Sequence, residues 1–247
     1  MEGLYSMSAA ELNDLSRRYT LAQSGAGRLL LQTHLFFREW FWALLTRGPE
    51  LLKRGVDITS SMLALIVLTP LFALIYLLIK LEDRGPIFFI QTRVGQHGRH
   101  FKMYKFRSMC MDAEQRLRDL LAKNQHKEGI TFKIKDDPRV TQTGRWLRKF
   151  SLDELPQFYN VLIGDMSLVG PRPPVPREVA KYSPADRRRL AIKPGITCIW
   201  QISGRSEIDF SGQVQLDVSY IETQSFWGDV TILARTVPAV ISSKGAC

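Results

Sequence analysis

The chain has 247 residues, which is enough for one large domain or two small ones with a buried core. A formal net charge of +10 predicts anionic partners, which are nucleic acid, phosphorylated metabolites or an acidic membrane surface. The three cysteines are an odd number without metal-ligand spacing, which argues against a disulfide framework and favours reduced thiols in a cytosolic setting.

The first 46 residues predict an N-terminal extension. Residues 1–26 are polar and show no strong period, which indicates a peripheral segment, and their acidic side chains argue against a cleavable signal peptide. Residues 28–45 mix aliphatic side chains with phenylalanine and tryptophan, as an interfacial helix does. A buried core helix has a similar composition, so both interpretations stay open.

An uncharged apolar stretch covers residues 62–79 and is interrupted only by Thr69 and Pro70. At ~1.5 Å per residue, about 18 helical residues just reach across a hydrocarbon core of roughly 30 Å. Pro70 bends the helix, and basic residues flank both ends of the stretch, which favours placing both ends on the cytoplasmic side. We therefore predict a re-entrant membrane helix-break-helix over residues 47–84, in which Thr69 satisfies backbone groups freed by Pro70. A single kinked transmembrane span is the alternative.

Residues 86–94 and 101–109 predict two short strands joined by the turn at residues 95–98, which makes a β-hairpin. Lys105 and Arg107 share a face of the second strand, where they are either solvated edge charges or phosphate contacts. The hairpin and the helices that follow it predict a small α+β domain, mostly helical, over residues 85–247.

The remaining elements follow from local apolar patterns and capping residues. Helices are predicted over residues 111–124, 141–149, 209–222 and 226–242, another helix follows Ser183 and Pro184, and short strands are predicted over residues 131–135 and 196–202. The helix after Pro184 carries the basic run 187–189, which is either a solvated face or a contact to anionic lipid headgroups.

Two adjacent carboxylates, Asp153 and Glu154, follow a basic helix and precede an apolar run. Ser151 and Glu154 have the spacing of a capping box, which predicts a helix whose first N–H groups surround Asp153 and attract anions. Three cations lie within residues 145–149, and Arg172 follows in a Gly-Pro-Arg-Pro turn. The pattern fits either a phosphate-handling site or an ordinary capped surface helix.

The chemistry that such a site could perform is limited by the motifs that are absent. The sequence has no P-loop, dinucleotide-binding or nucleophile-elbow motif. A carboxylate can instead act as a nucleophile toward phosphorus, and phosphoryl chemistry needs arginines and usually Mg²⁺. The Asp-Glu pair provides candidate carboxylates, and the surrounding arginines provide candidate phosphate contacts.

Seven motifs occur together in one order, and their combination is specific. They are KRGVD (53–57), YKFRSM (104–109), SLDELPQ (151–157), GDMSLVGPRP (164–173), KPGIT (193–197), SGR (203–205) and LDVSY (216–220). With the proline-containing apolar stretch, the chain resembles the bacterial sugar transferases, which are monotopic polyprenyl-phosphate phosphoglycosyl transferases. The resemblance covers residues 51–247.

The resemblance implies an enzyme that transfers a phosphosugar from a UDP-sugar to undecaprenyl phosphate through a covalent aspartyl-phosphosugar intermediate. The products are undecaprenyl-diphosphate-sugar and UMP, in the first membrane step of exopolysaccharide, capsule or lipopolysaccharide O-antigen assembly. It also implies the inner leaflet of the bacterial cytoplasmic membrane as the location, with the catalytic domain facing the cytoplasm and no nucleic acid as partner. Whether the chain forms a homo-oligomer is left open.

The same resemblance assigns roles to individual residues. Asp153 resembles the nucleophile and a Mg²⁺ ligand, and Glu154 resembles the second carboxylate, acting electrostatically or as a base. The positions that resemble contacts to phosphates or nucleotide are Arg148, Arg172 and Arg205, with Asp217 orienting one of them, and Lys105 and Arg107 as weaker candidates. Thr69 stands where many relatives have serine before the proline of the helix break, so the hydroxyl is kept.

Two other functions agree with part of the sequence. A non-catalytic membrane-surface scaffold would explain the apolar and amphipathic helices but not the Asp-Glu pair. A nucleotide-sugar hydrolase would use the pair without a lipid acceptor. A nucleic-acid binder is disfavoured because the basic residues interleave with acidic ones and form no recognised motif.

Overall fold

The computed structural model describes residues 9–113, 115–116, 137–204 and 208–242. The chain divides into two units, Met1–Leu52 and Lys53–Cys247. The helices are α1 (Ala9–Gln23), α2 (Gly25–Val67), α3 (Thr69–Asp83), α4 (Gln142–Lys149), α5 (Gln157–Ile163), α6 (Pro176–Val179), α7 (Ile199–Ser203), α8 (Phe210–Thr223) and α9 (Phe226–Ser242). The strands are β1 (Phe88–Val94), β2 (His100–Phe106), β3 (Ser167–Val169) and β4 (Gly195–Thr197).

The N-terminal segment is more regular than its pattern indicated. Residues 1–26 show no apolar period, yet Ala9–Gln23 forms α1, because most residues there are strong helix formers such as alanine, leucine, glutamate and arginine. The helix predicted over residues 28–45 lies inside α2. The division of the chain at residues 46/47 and 84/85 stays a prediction.

The predicted break in the apolar stretch is confirmed. Helix α2 ends at Val67, and the segments Gly48–Val67 and Thr69–Asp83 meet at a bend of 58°. Pro70 lies in the first turn of α3, where its missing N–H costs no helical hydrogen bond. The hydroxyl of Thr69 donates to the carbonyl of Leu65 at 2.9 Å, one turn earlier. Within the described residues, no helix alone combines the length and apolar character of a membrane span, whereas this bent pair does so jointly.

The side chains of the basic motif at residues 53–57 bond to other elements of the second unit rather than facing solvent. Lys53 donates to the carbonyl of Val169 at 3.1 Å and forms an ion pair with Asp229. The Asp57 carboxylate accepts a hydrogen bond from the backbone N–H of Leu168 in β3 at 3.0 Å.

Arg54 completes this attachment of α2. Its guanidinium donates to the carbonyls of Val161 and Leu162 at 2.6 and 2.8 Å, at the C-terminal end of α5. The last carbonyls of a helix lack partners within the helix, so an arginine placed there satisfies them. The motif thus fixes α2 to α5 and β3, the two elements that precede the turn carrying Arg172.

Loss of the Asp57 carboxylate tests this attachment. Asp57 is buried, so Asp57→Ala leaves the N–H of Leu168 without a partner, and we expect the free energy of unfolding to fall by about 1–3 kcal/mol. Thr59→Ala on the same helix is the matched control, because its exposed hydroxyl bonds only to carbonyls of α2. Denaturant unfolding in detergent micelles measures both, and equal changes would contradict the role of Asp57.

The predicted hairpin is confirmed. Strands β1 and β2 pair antiparallel, with Phe88 opposite Phe106 and Phe89 opposite Lys105, and a short 3₁₀ turn (Gln96–Gly98) joins them. Side chains of opposite residues share a face, so Phe89 lies beside Lys105. A second sheet pairs β3 with β4 in parallel.

Among the described residues, two of the three clusters of buried apolar side chains in the second unit include residues of β2. The larger cluster comprises Met103, Val161, Met166, Leu168, Val169, Tyr220 and Ile232. The other joins one face of α3 to β2 and α4, and comprises Ile75, Ile79, Phe106 and Leu147. The helix after the bend is therefore packed against the hairpin on one side, while several of its apolar side chains remain exposed.

The C-terminal half agrees with the sequence in its long helices and differs in its short elements. Helices α8 and α9 confirm the predictions over residues 209–222 and 226–242, whereas the strand predicted over residues 196–202 is wrong beyond Thr197, since α7 begins at Ile199. After Ser183 the chain forms a 3₁₀ helix (Asp186–Leu190) instead of the predicted α-helix. The helix over 111–124 and the strand over 131–135 lie largely outside the described residues.

Candidate active site

Several segments of the second unit line one cavity of about 470 Å³, and four of them carry the charged residues considered first. Strand β2 contributes Lys105, helix α4 contributes Arg148, the turn after α4 contributes Asp153, and the Gly-Pro-Arg-Pro turn after β3 contributes Arg172. These residues are up to 67 positions apart in sequence, from 105 to 172, and the fold brings all of them into the lining of the cavity. The geometry combines a carboxylate with several cations.

The turn that carries the carboxylates is not the predicted capping box. Ser151 adopts a left-handed conformation (φ 53°, ψ 23°), and its side chain caps no helix. Residues Leu152–Glu154 form one 3₁₀ turn, and α5 begins only at Gln157. Left-handed backbone is costly for serine, and such strain is common at functional sites. The cap fails because the Glu154 side chain has stronger partners elsewhere.

Glu154 is held by two cations. Its Oε1 accepts from Lys105 Nζ at 2.6 Å and lies 3.4 Å from Arg172 Nη1. Burial alone would raise the pKa of Glu154, but the charges of Lys105 and Arg172 outweigh it and lower the pKa to about 2. The side chain is therefore ionised at neutral pH and fixes both cations at the cavity.

Asp153 has the opposite environment. Only 8% of the residue is exposed, and its carboxylate forms no hydrogen bond or ion pair with any described residue. Burial raises the pKa of Asp153 above its usual value, and the neighbouring charge of Glu154 adds to this effect, against the pull of Lys105 and Arg148. Two adjacent carboxylates with divergent pKa values indicate different chemical roles.

Helix α4 places Arg148 beside Asp153. Thr141 caps the helix by accepting from the N–H of Gly144 at 3.0 Å, as the sequence predicted for a helix over 141–149. A Cβ at Gly144 would lie 2.0 Å from the carbonyl oxygen of Ser108, so glycine allows the helix to approach that segment. Arg148 Nε then donates to Ser108 Oγ at 3.0 Å, which orients the guanidinium in the cavity wall.

Sequence reasoning missed Arg93. This residue of β1 lines the cavity, donates from Nη1 to the carbonyl of Pro173 at 2.8 Å, and has a buried Nε without a partner in the described structure. Burial, aided by the nearby charge of Arg172, lowers the pKa of Arg93 to about 10. Its position in a strand next to a turn gave no sign that it would support the Pro-Arg-Pro segment.

Two predicted site residues have structural partners instead. The guanidinium of Arg107 borders the cavity, but it pairs with Asp83 and donates from Nε to the carbonyl of Pro86 at 2.6 Å. Asp217 was expected to orient Arg148, Arg172 or Arg205. It is buried, does not line the cavity, and pairs with Arg189.

The predicted phosphate contact Arg205 lies outside the described residues. Among the residues that the structure describes, no group of three or more histidine, cysteine, aspartate or glutamate side chains could hold a metal ion alone. The Asp153 carboxylate, which has no hydrogen bond or ion pair within the described residues, nevertheless fits Mg²⁺, because this ion commonly binds one or two carboxylates together with substrate phosphates and water.

The sequence profile of the family described as "Bacterial sugar transferase" matches residues 48–243, and the chain belongs to this family. The predicted resemblance is thereby confirmed. The matched region contains the residues that line the cavity and the whole bent helix pair.

Several named proteins are similar to this chain. It is 51% identical over 196 residues to "Galactosyl transferase CpsE" of Streptococcus agalactiae serotype III (strain NEM316), covering 78% of this chain and 43% of that protein. It is 44% identical over 207 residues to "Undecaprenyl-phosphate galactose phosphotransferase" of Salmonella typhimurium, covering 82% and 43%. With "Exopolysaccharide production protein ExoY" of Sinorhizobium fredii it shares 42% identity over 197 residues, covering 78% and 87%. The chain thus spans less than half the length of the first two.

Proposed function

We propose that this chain transfers a phosphosugar from a UDP-sugar to undecaprenyl phosphate, releasing UMP and forming undecaprenyl-diphosphate-sugar. The observation that carries the proposal is the Asp153 carboxylate in a cationic cavity, which no described residue pairs with, next to a second carboxylate that two cations hold. Membership of the sugar transferase family and the names of the relatives support it. The reaction would open the assembly of a lipid-linked exopolysaccharide, capsule or O-antigen glycan.

The transfer proceeds in two displacements at the phosphorus that bears the sugar. A carboxylate oxygen of Asp153 attacks this phosphorus, the bond to the UMP oxygen breaks, and UMP leaves. A phosphate oxygen of undecaprenyl phosphate then attacks the same phosphorus, and the Asp153 carboxylate is released. Lys105, Arg148 and Arg172 lie where they would offset the negative charge of the phosphates in both steps.

We propose that Glu154 acts by positioning and charge rather than as a base. A group with a pKa of about 2 is a poor proton acceptor at neutral pH. Its contacts with Lys105 and Arg172 instead hold these two cations on one side of Asp153. Arg93 supports the same arrangement through Pro173.

Asp153 is also our proposed ligand for Mg²⁺, together with the diphosphate of the donor. When bound, the ion would neutralise phosphate charge and polarise the phosphoryl group under attack. The raised pKa of Asp153 means that the carboxyl group takes up a proton more readily than usual in the free protein, so arrival of a cation favours its ionised form.

We further propose that the bent pair of α2 and α3 enters the cytoplasmic leaflet of the inner membrane and returns, with the second unit facing the cytoplasm. The 58° bend and the apolar side chains exposed on α3 support this proposal. It places the cavity at headgroup height, where a lipid phosphate lies. A single kinked span is the alternative.

Release of UMP measured with a panel of UDP-sugars tests the proposed function. We expect sustained turnover with one donor, such as UDP-galactose, UDP-glucose or an N-acetylated sugar, only when undecaprenyl phosphate and Mg²⁺ are both present, and loss of turnover with EDTA. Without the lipid, release should stop at about one UMP per protein molecule. Sustained release without lipid would instead identify a hydrolase, and no release with any donor would favour the scaffold.

A further inference from the structure

A row of aromatic rings connects the helix after the bend with the cavity. The ring of Phe72 on α3 meets that of Phe106 on β2 edge to face, with centroids 5.1 Å apart. The ring of Phe106 stacks on that of Phe88 on β1 at 5.5 Å and 17°. Phe72 and Phe106 belong to one buried cluster, whereas Phe88 emerges at the cavity with 47% of its surface exposed.

Three consecutive apolar residues of β1 form what we call the aromatic lip, which comprises Phe88, Phe89 and Ile90. All three line the cavity, and 47%, 37% and 51% of their surfaces are exposed. A strand with one solvated face normally alternates apolar and polar residues, so three exposed apolar side chains in succession need a reason. An apolar ligand or surface that covers them in the working enzyme is such a reason.

The lip adjoins the cations of the site. Phe89 stands directly opposite Lys105 in the hairpin, and Lys105 Nζ contacts Glu154 at 2.6 Å. Arg93 lies on the same strand as the lip and lines the same cavity. The cavity therefore offers an apolar margin next to a cluster of positive charge.

We propose that the aromatic lip seats the first isoprene units of the lipid carrier, with the carrier's phosphate beside Lys105 and Arg172. The inference rests on the proposed function. A molecule with a hydrocarbon chain joined directly to a phosphate matches both halves of this surface, whereas a UDP-sugar is polar along most of its length. Because the aromatic row continues to α3, the rest of the chain would leave the lip along the apolar helix pair.

Kinetics of the double variant Phe89→Ala/Ile90→Ala test this seat. Neither side chain belongs to the stacked row, so the packing of Phe106 stays intact. We expect the KM for undecaprenyl phosphate to rise about tenfold, equal to about 1.4 kcal/mol of binding. The KM for the UDP-sugar and the single UMP released without lipid should stay unchanged. A rise in the donor KM instead would mean that the lip stacks on the nucleotide, and unchanged kinetics would overturn the proposal.

Leu81→Ala is the matched control for bulk lipid. Leu81 is an exposed apolar residue of α3 that does not line the cavity. If the lip only contacts the bilayer, Leu81→Ala should raise the acceptor KM as much as the double variant does. In each variant the rise should then be proportional to the loss of binding to phosphatidylglycerol vesicles. Under our proposal, Leu81→Ala leaves the acceptor KM in detergent micelles unchanged.

A binding measurement separates this proposal from the proposed function. Undecaprenyl phosphate with a diazirine on its first isoprene unit should label the peptide that contains residues 88–90, in the wild type and in Asp153→Asn. Excess unlabelled undecaprenyl phosphate should prevent the labelling, and excess phosphatidylglycerol should not. Labelling elsewhere, or equal competition by phosphatidylglycerol, overturns the seat even if lipid-dependent turnover is found, whereas absent turnover of the wild type overturns the proposed function.

Discussion

Replacing Asp153 with asparagine is expected to lower UMP release by at least about a thousandfold. An amide of the same shape fits the same buried position, but it cannot attack phosphorus or be released as a carboxylate. Intact-protein mass spectrometry checks the covalent step directly. After mixing with the UDP-sugar and Mg²⁺ without lipid, the wild type should carry one phosphosugar and Asp153→Asn none.

Glu154→Gln is the matched control, because it removes the neighbouring carboxylate and leaves Asp153 in place. We expect this variant to form the same adduct more slowly, since Lys105 and Arg172 lose the anion that holds them. Near-full turnover of Asp153→Asn would contradict the proposed nucleophile. An adduct found in Asp153→Asn and missing in Glu154→Gln would transfer that role to Glu154.

The sequence was sufficient to predict the elements that are determined by nearby residues. Pro70 cannot continue a regular helix beyond its first turn, so the break near residue 69 follows from one residue. The hairpin follows from two apolar runs and a glycine-containing turn, and Thr141 marks the start of α4 as a cap. In each case the partners lie within 18 positions of one another.

The capping box failed because the partners that decide the structure are distant. Ser151 and Glu154 have the required spacing, but Lys105 lies 49 residues before Glu154 and offers a charged partner at 2.6 Å. An ion pair in a partly buried site is stronger than a helix cap, so the local motif loses to the tertiary contact. No pattern within residues 145–160 could reveal this contact.

The same limit explains the motif at residues 53–57. Read alone, Lys53, Arg54 and Asp57 resemble a charged membrane flank, whereas the fold gives them backbone groups of β3 and α5 more than 100 residues away. Arg93 was missed for a related reason, since its function depends on the carbonyl of Pro173, 80 residues later. The sequence identifies which residues belong to the site's motifs, and the fold decides which of them touch the cavity.

Asp217 belongs to a motif of the site but does not line the cavity, and its replacement gives the largest expected loss of stability. Only 1% of Asp217 and 4% of Arg189 are exposed, and the two side chains form an ion pair between α8 and the 3₁₀ helix before β4. Arg189 also donates to the hydroxyl of Tyr182 at 3.2 Å. Asp217→Ala leaves the guanidinium buried without its counter-ion, and we expect the free energy of unfolding to fall by about 3–5 kcal/mol.

Glu222→Ala on the same helix is the matched control, because Glu222 pairs with Arg188, the residue next to Arg189, at 2.5 Å. Both side chains of that pair are more than half exposed, at 58% and 59%, so water replaces the lost contact and the change should stay below about 1 kcal/mol. Denaturant unfolding of the two variants in detergent micelles measures the difference. Small and equal changes in the free energy of unfolding would mean that the Asp217–Arg189 pair does not stabilise the fold. A role for Asp217 in substrate binding would then explain its place in the motif better. Both side chains are buried and neither lines the cavity, which favours the structural role.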